Sequence, residues 1–289
     1  MFKVACIQLS VGPDIQENIP VTEDLIRQAH ADGAKFIATP ENSCFISVDK
    51  QHKFATARPE KDHPLLKRFE ELTKELDIWL LAGSVKIPIE GDRGKAEKRL
   101  ANRSYLFAPD GSIKAAYDKI HLYDVDLPNG EVLRESSEFT PGDKGVLVDI
   151  PDFDATFGLT ICYDIRFGHF YRDMARQGAA LFTVPSAFTV PTGQAHWEVM
   201  LRARAIECGA FVLAPAQGGT HDAGSDGKGR KTYGHSMIID PWGRILAHKN
   251  DDNPGLITAE IDMNQVTTAR SAIQQLRHDR EYKITKISN

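Results

Sequence analysis

The chain has 289 residues, 42% of them hydrophobic and 26% charged, with a formal net charge of −5. That balance is the one expected of a globular protein with an extensive core. A mildly acidic chain is a poor partner for nucleic acid or anionic membranes, and no apolar run reaches membrane-spanning length. The four cysteines, Cys6, Cys44, Cys162 and Cys208, stand far apart without a C-x-x-C pair. This spacing excludes a disulfide framework or zinc knuckle and fits the reducing cytoplasm.

The opening run Met1-Phe-Lys-Val-Ala-Cys-Ile-Gln-Leu9 lacks a basic leader and a cleavage site, so it reads as a first strand over 2–9. A helix is expected around 18–31, with Leu25, Ile26 and Ala29 on one face, and then a strand over 35–39. Leu65, Phe69, Leu72 and Leu76 recur at helical spacing and predict a helix over 63–76. Strands follow at 78–85 and 103–108, where Pro109-Asp110-Gly111 turns the chain into a strand over 112–117. Between them Arg93, Lys95, Lys98 and Arg99 are interleaved with Glu97 and read as a solvated hairpin tip. Residues 118–144 read as a long loop, a length usually kept for function.

Strands are expected at 146–150 and 156–162, a helix over 167–177, a strand at 180–184, a helix over 196–209 and a strand at 211–216. Glycine-rich 218–230 reads as a flexible surface loop. A hairpin through Asp240-Pro-Trp-Gly243, a strand at 256–261 and a helix from Asp262 or Met263 complete the chain. Neither a repeat nor a linker interrupts it, so we expect one domain over 1–289, an α/β layered sandwich with helices outside mixed sheets.

Three reactive groups each sit where an expected strand ends: Glu41 after Ala38-Thr39-Pro40, Lys119 after Tyr117-Asp118, and Cys162 after Thr156-Phe-Gly-Leu-Thr-Ile. Side chains at strand ends gather along the rim of an α/β sheet, where ligands bind. A thiol at a sharp turn into a helix would gain from backbone N–H groups and the helix dipole. A thiol, a carboxylate and an ammonium on one rim can share acyl transfer as nucleophile, proton shuttle and oxyanion partner. Taken singly, each is as readily a core cysteine or a surface charge, and spacing does not show that they converge. No H-E-x-x-H, phosphate loop or dinucleotide fingerprint is present, so no metal or cofactor is implied.

Pro40-Glu41-Asn42, Tyr117-Asp-Lys-Ile-His-Leu122 and Gly158-Leu-Thr-Ile-Cys-Tyr-Asp-Ile-Arg-Phe167 resemble, in order, the three signature blocks of the nitrilase superfamily of carbon–nitrogen hydrolases. The resemblance spans nearly the whole chain. It implies Glu41 as general base and acid, Lys119 as oxyanion partner, Cys162 as the nucleophile that forms a thioester, and the Tyr163 backbone N–H as a second oxyanion donor. A second glutamate supporting the lysine falls on Glu135, with Glu138 the weaker match. The implied fold is an α-β-β-α sandwich that pairs into an eight-layer homodimer or a higher homo-oligomer.

Pro185-Ser-Ala-Phe188, the 192–207 stretch around His196-Trp197, and Ala216-Gln217 resemble the branch containing deaminated glutathione amidase and omega-amidase, and lean toward the former. Ser186, Phe188 and His196 are the substrate contacts this suggests. The implied partners are a small linear amide and water. The alternatives are omega-amidase action on alpha-ketoglutaramate-type acids, N-carbamoyl hydrolysis, or a non-catalytic oligomeric scaffold. One departure stands out. Gly168-His169 replaces the branch's usual Pro-Glu, which should loosen the helix start and alter the pocket.

Overall fold

The computed structural model describes residues 1–89, 99–127, 130–222 and 229–287. Its first strand, β1 (Phe2–Gln8), leads into α1 (Ile15–Ala31). This helix starts three residues before the expected position because Asp14 caps it, accepting from the Gln16 N–H at 2.7 Å. Asn18 is instead buried inside the first turns, with its amide donating to the carbonyls of Gly12 and Cys44. After β2 (Phe36–Ala38) comes α2 (Lys50–Thr56), which the sequence did not reveal. Asp49 caps it, but none of its residues is buried, so it carries no apolar period to read.

Helix α3 (Pro64–Leu76) buries Leu65, Phe69, Leu72 and Leu76 as the spacing predicts. Strands β3 (Trp79–Pro88), β4 (Leu100–Phe107) and β5 (Ile113–Asp118) follow, with Gly111 at φ +81° making the last turn. The expected hairpin tip at 90–98 lies outside the described residues. The segment expected as a long loop instead holds a small hairpin, β6 (Asp124–Asp126) with β7 (Val132–Arg134), and a 3-10 turn over Glu135–Ser137.

The second half runs through β8 (Val146–Ile150), β9 (Ala155–Leu159), α4 (Gly168–Arg176), β10 (Ala179–Thr183) and α5 (Val190–Cys208). Helix α5 begins six residues before His196, with a proline in its first turn. Gly193 inside it lets the Tyr233 side chain pack close, since a Cβ there would fall 2.2 Å from Tyr233 Cγ. The chain ends with β11 (Phe211–Ala214), β12 (Gly218–His221), β13 (Arg230–Tyr233), β14 (Met237–Ile239), β15 (Ile245–His248), β16 (Gly255–Ile261) and α6 (Asn264–Ala272).

The expectation of a surface loop over 218–230 is corrected: β12 and β13 pair, and buried His221 ties them to the body. Its ring nitrogens lie 2.9 Å from the Val11 carbonyl and 2.6 Å from the Thr232 hydroxyl. Residues 223–228 lie outside the described ones.

The two large sheets mirror each other. One has the order β16-β1-β2-β3-β4-β5 and the other β15-β14-β11-β10-β9-β8. In each, three central strands run parallel and the outer ones antiparallel. A central parallel strand with buried faces on both sides reads as a continuous apolar run, as Phe36–Ala38 does. Val4, Cys6, Phe36 and Leu81 of the first sheet share one core with Phe157, Leu159, Leu181 and Leu213 of the second. The alternate residues Ala5, Ile7, Ile37 and Leu80 pack with α1 and α3. Met174, Trp197, Leu201 and Ala205 bring α4 and α5 onto the second sheet. Among the described residues no helix is long and apolar enough to cross a membrane.

Candidate active site

Strands β2, β5 and β9 end around one cavity of about 170 Å³, whose lining includes Glu41, Lys119, Glu135 and Cys162. Glu41 follows β2 in a turn pinned to β3. Thr39 N–H donates to the Leu81 carbonyl at 3.0 Å, and Asn42, at φ +59°, donates its N–H to the Ser84 hydroxyl at 2.9 Å. Gly83 permits this contact, since a Cβ there would fall 1.9 Å from the Thr39 carbonyl oxygen and 2.5 Å from that of Pro40. Lys119 is fixed just beyond β5 by its N–H bond to the Asn102 carbonyl at 3.0 Å.

Cys162 lies beyond its strand, not in it. β9 stops at Leu159, and Cys162 opens a 3-10 turn over Cys162–Arg166 at φ +50°. A left-handed conformation costs a non-glycine residue about 1–2 kcal/mol, so the surroundings must enforce it. Two bonds do so: Cys162 N–H to the Pro185 carbonyl at 2.9 Å, and Ile161 N–H to the Asp164 carboxylate at 2.8 Å. The expected helix dipole is absent from the sulfur, because α4 begins only at Gly168.

The Lys119 ammonium lies 2.9 Å from Glu41 Oε1 and donates to both oxygens of Glu135, at 3.0 and 2.9 Å. Asn102 bridges the two carboxylates, at 2.9 Å from Glu41 and 3.2 Å from Glu135. The other Glu41 oxygen accepts from the Ala187 N–H at 2.9 Å, and Glu135 accepts from the Tyr123 N–H at 2.6 Å. Glu138 also lines the cavity but pairs with Lys53 at 2.6 Å, so Glu135 is the carboxylate on Lys119.

Burial acts on all three central groups, and charge decides the outcome. Burial alone would push the Glu41 carboxyl up, but the Lys119 charge and hydrogen bond reverse this and hold it below the ordinary carboxylate value. Burial alone would lower Lys119, yet Glu135 and Glu41 raise it well above an ordinary lysine. For Cys162, burial and the Glu41 charge push the thiol upward, against the pull of Lys119. These shifts favour a protonated thiol beside an ionised carboxylate and a charged ammonium.

Asp164, fully buried, ties the cysteine turn to the lysine segment. Besides Ile161 N–H, it accepts from the Tyr117 hydroxyl at 2.7 Å and the His121 N–H at 3.1 Å. His121 Nδ1 lies 2.7 Å from the same carboxylate. Tyr117 and His121 flank Lys119, so one carboxylate sets the spacing of two reactive segments.

Phe188 and Tyr163 line the cavity, whereas two suggested substrate contacts do not. The Ser186 hydroxyl is fully buried and donates back to the Val184 carbonyl at 3.0 Å. His196 is exposed on the outer side of α5, 3.2 Å from Arg166. Gly168 and His169 do not line it either. The Arg204 guanidinium fills the space beside Gly168 and donates to the Ile165 carbonyl at 2.7 Å, bracing the helix start. The sequence reading missed Asn102, Lys53 and Arg230, which also belong to this neighbourhood.

The carbon-nitrogen hydrolase family model matches residues 3–271. The deaminated glutathione amidase of Synechocystis sp. is 38% identical over 96% of this chain and 97% of its own length. The Bos taurus protein of the same name is 36% identical over 96% of this chain and 81% of its own. Among solved structures, the C. elegans NitFhit protein superposes with a TM-score of 0.86 at 33% identity, covering 96% of this chain and 65% of that longer one. Saccharomyces cerevisiae Nit3, a member of branch 10 of the nitrilase superfamily, gives 0.80 at 25% identity over 96% of both chains. The chain belongs to the carbon–nitrogen hydrolase family of the nitrilase superfamily.

Proposed function

We propose that this carbon–nitrogen hydrolase converts a linear carboxamide to a carboxylate and ammonia through a thioester on Cys162. The observation that carries the reading is the 2.9 Å contact of Lys119 with Glu41 in the cavity lined by Cys162. Glu41 takes the thiol proton as the sulfur attacks the amide carbon. Lys119 and the Tyr163 N–H hold the developing oxyanion, an arrangement worth several kcal/mol in a dry site. Glu41 then gives its proton to the nitrogen, the carbon–nitrogen bond breaks and ammonia leaves. Water attacks the thioester, Glu41 accepts its proton, and the sulfur departs and is reprotonated. Glu135 and Asn102 position Lys119, and Phe188 forms an apolar wall for the substrate.

The names of the relatives point to deaminated glutathione as the substrate, and with it the nitrogen that Glu41 protonates leaves as the amine of cysteinylglycine in place of ammonia. In this reading the two sheets and their helices form an α-β-β-α sandwich, a single domain over 1–289 that pairs as a cytoplasmic homodimer. Exposed Val199 and Ile206 on α5, with exposed Trp242 lining one surface hollow with Ile206, support pairing on that face. The test is Cys162→Ala, which should abolish release of cysteinylglycine from deaminated glutathione while leaving the circular dichroism spectrum unchanged. Retained turnover would overturn the reading.

A further inference from the structure

We propose that α2 is a clamp on the turn that carries Glu135, and that its Lys53–Glu138 ion pair is a positioning pair for Lys119. The inference rests on the amide-hydrolysis reading above and gives a role to two cavity residues that its chemistry does not use.

The 3-10 turn over Glu135–Ser137 buries none of its own residues, so core packing does not fix it, although it carries one of the two carboxylates on Lys119. Polar contacts hold it instead. The Asp124 carboxylate accepts from the Ser136 N–H at 2.9 Å and from its hydroxyl at 2.5 Å, and Arg99 donates to the Ser136 carbonyl at 2.7 Å. Helix α2 supplies the rest. Lys53 Nζ donates to Glu138 Oε2 at 2.6 Å, and Lys50 donates to the Ser137 carbonyl at 3.3 Å. Phe54 packs on the small cluster of Ala57, Leu100 and Phe139. The Glu138 and Phe139 N–H groups both donate to the Glu135 carbonyl at 3.0 Å, so whatever holds Glu138 also holds Glu135.

The other end of α2 is tied to the segment that leads from Glu41. The Asp222 carboxylate accepts from the Ser47 hydroxyl at 2.7 Å and the Val48 N–H at 3.1 Å, just before the helix starts. A His52 ring nitrogen lies 3.0 Å from the Pro13 carbonyl. The helix therefore runs from the chain that follows one carboxylate to the turn that holds the other, and Lys119 sits between the two. The Lys53–Glu138 contact closes this frame.

With side chains 16% and 14% exposed, the pair is less screened than a bridge in open solvent. Its two charges offset each other, so its contribution to the reaction is geometric. A misplacement of about 1 Å can cost roughly 100-fold in rate. Loosening the turn spreads Glu135, and the ammonium it holds, over more positions than the oxyanion can use.

The test measures release of cysteinylglycine from deaminated glutathione by wild type, Lys53→Met, Glu138→Gln, the double variant and Lys53→Arg, with kcat counted per folded molecule. Each of the first two substitutions should lower kcat roughly tenfold with KM little changed. The double variant should lose no more than either alone, since both remove one contact. Lys53→Arg keeps the ion pair and should recover most of the rate. A loss confined to KM would make the pair a wall of the pocket, and additive losses would make its members independent. Either result, or an unchanged kcat in Glu138→Gln, would overturn the assignment and leave amide hydrolysis standing. No product from wild type would overturn the amide reading and this inference together.

Discussion

Two lysines are buried within reach of the Glu41 turn, and the protein holds them in opposite ways. Lys119 is 2% exposed and sits between Glu41 and Glu135. Lys86, in β3, is 4% exposed and has no carboxylate beside it among the described residues. Its ammonium donates to Asn42 Oδ1 and the Phe45 carbonyl, both at 2.6 Å, and lies 4.4 Å from the centre of the Phe45 ring. Equal burial has unequal consequences. Two carboxylates raise Lys119 well above the ordinary lysine range, whereas burial lowers Lys86 to about 8. The first lysine is a fixed charge at the reacting atoms. The second is a titratable tether on the turn that carries Glu41.

The largest effect should come from Lys119→Met. It leaves the buried Glu41 and the part-buried Glu135 carboxylates facing each other, and breaking a buried pair costs about 3–5 kcal/mol of stability. Losing an oxyanion partner should also lower kcat by roughly 100- to 1,000-fold. A thermal melt and an ammonia assay check both. Stability unchanged by this substitution would mean that the Glu41–Lys119–Glu135 cluster is not held as described.

Lys86→Met should be milder and split differently. Stability near pH 7 should change little, because an apolar side chain replaces a buried charge without a carboxylate partner. Turnover should fall by about tenfold as the Glu41 turn loses its tether. The pH dependence sharpens the contrast. Lys86 titrates near 8 when folded and at 10.5 as an ordinary lysine, so between these values the unfolded chain binds more protons. The stability of the wild type relative to Lys86→Met should therefore rise with pH through that window and level off below about 8, where both states hold the proton. Urea unfolding of both proteins at pH 7.5 and 9.5 measures it. Parallel pH profiles would show that Lys86 does not titrate there.

The sequence made the strands legible where an apolar run ended in a reactive group, and Glu41, Lys119 and Cys162 do share a cavity. What it obscured has physical reasons. α2 buries no side chain, and β6 and β7 are three-residue strands with exposed ends, so neither leaves a period to detect. Asn102 looks like any polar residue in a strand, although its amide spans two carboxylates. Arg230 sits beside a glycine-rich stretch that reads as surface, and only the pairing of β12 with β13 brings it to the cavity. Ser186 and His196 show the converse, standing next to a motif without lining the cavity. Adjacency to a motif says little about where a side chain points, and their side chains meet the Val184 carbonyl and Arg166 instead.

The central claim is that sulfur carries the acyl group, and acid-quenched turnover followed by peptide mass spectrometry tests it most directly. Wild type stopped during hydrolysis of deaminated glutathione should yield a Cys162 peptide heavier by one acyl group, and hydroxylamine should remove it. Steady release of cysteinylglycine with an unmodified Cys162 peptide, or with the acyl group on another side chain, would contradict the account.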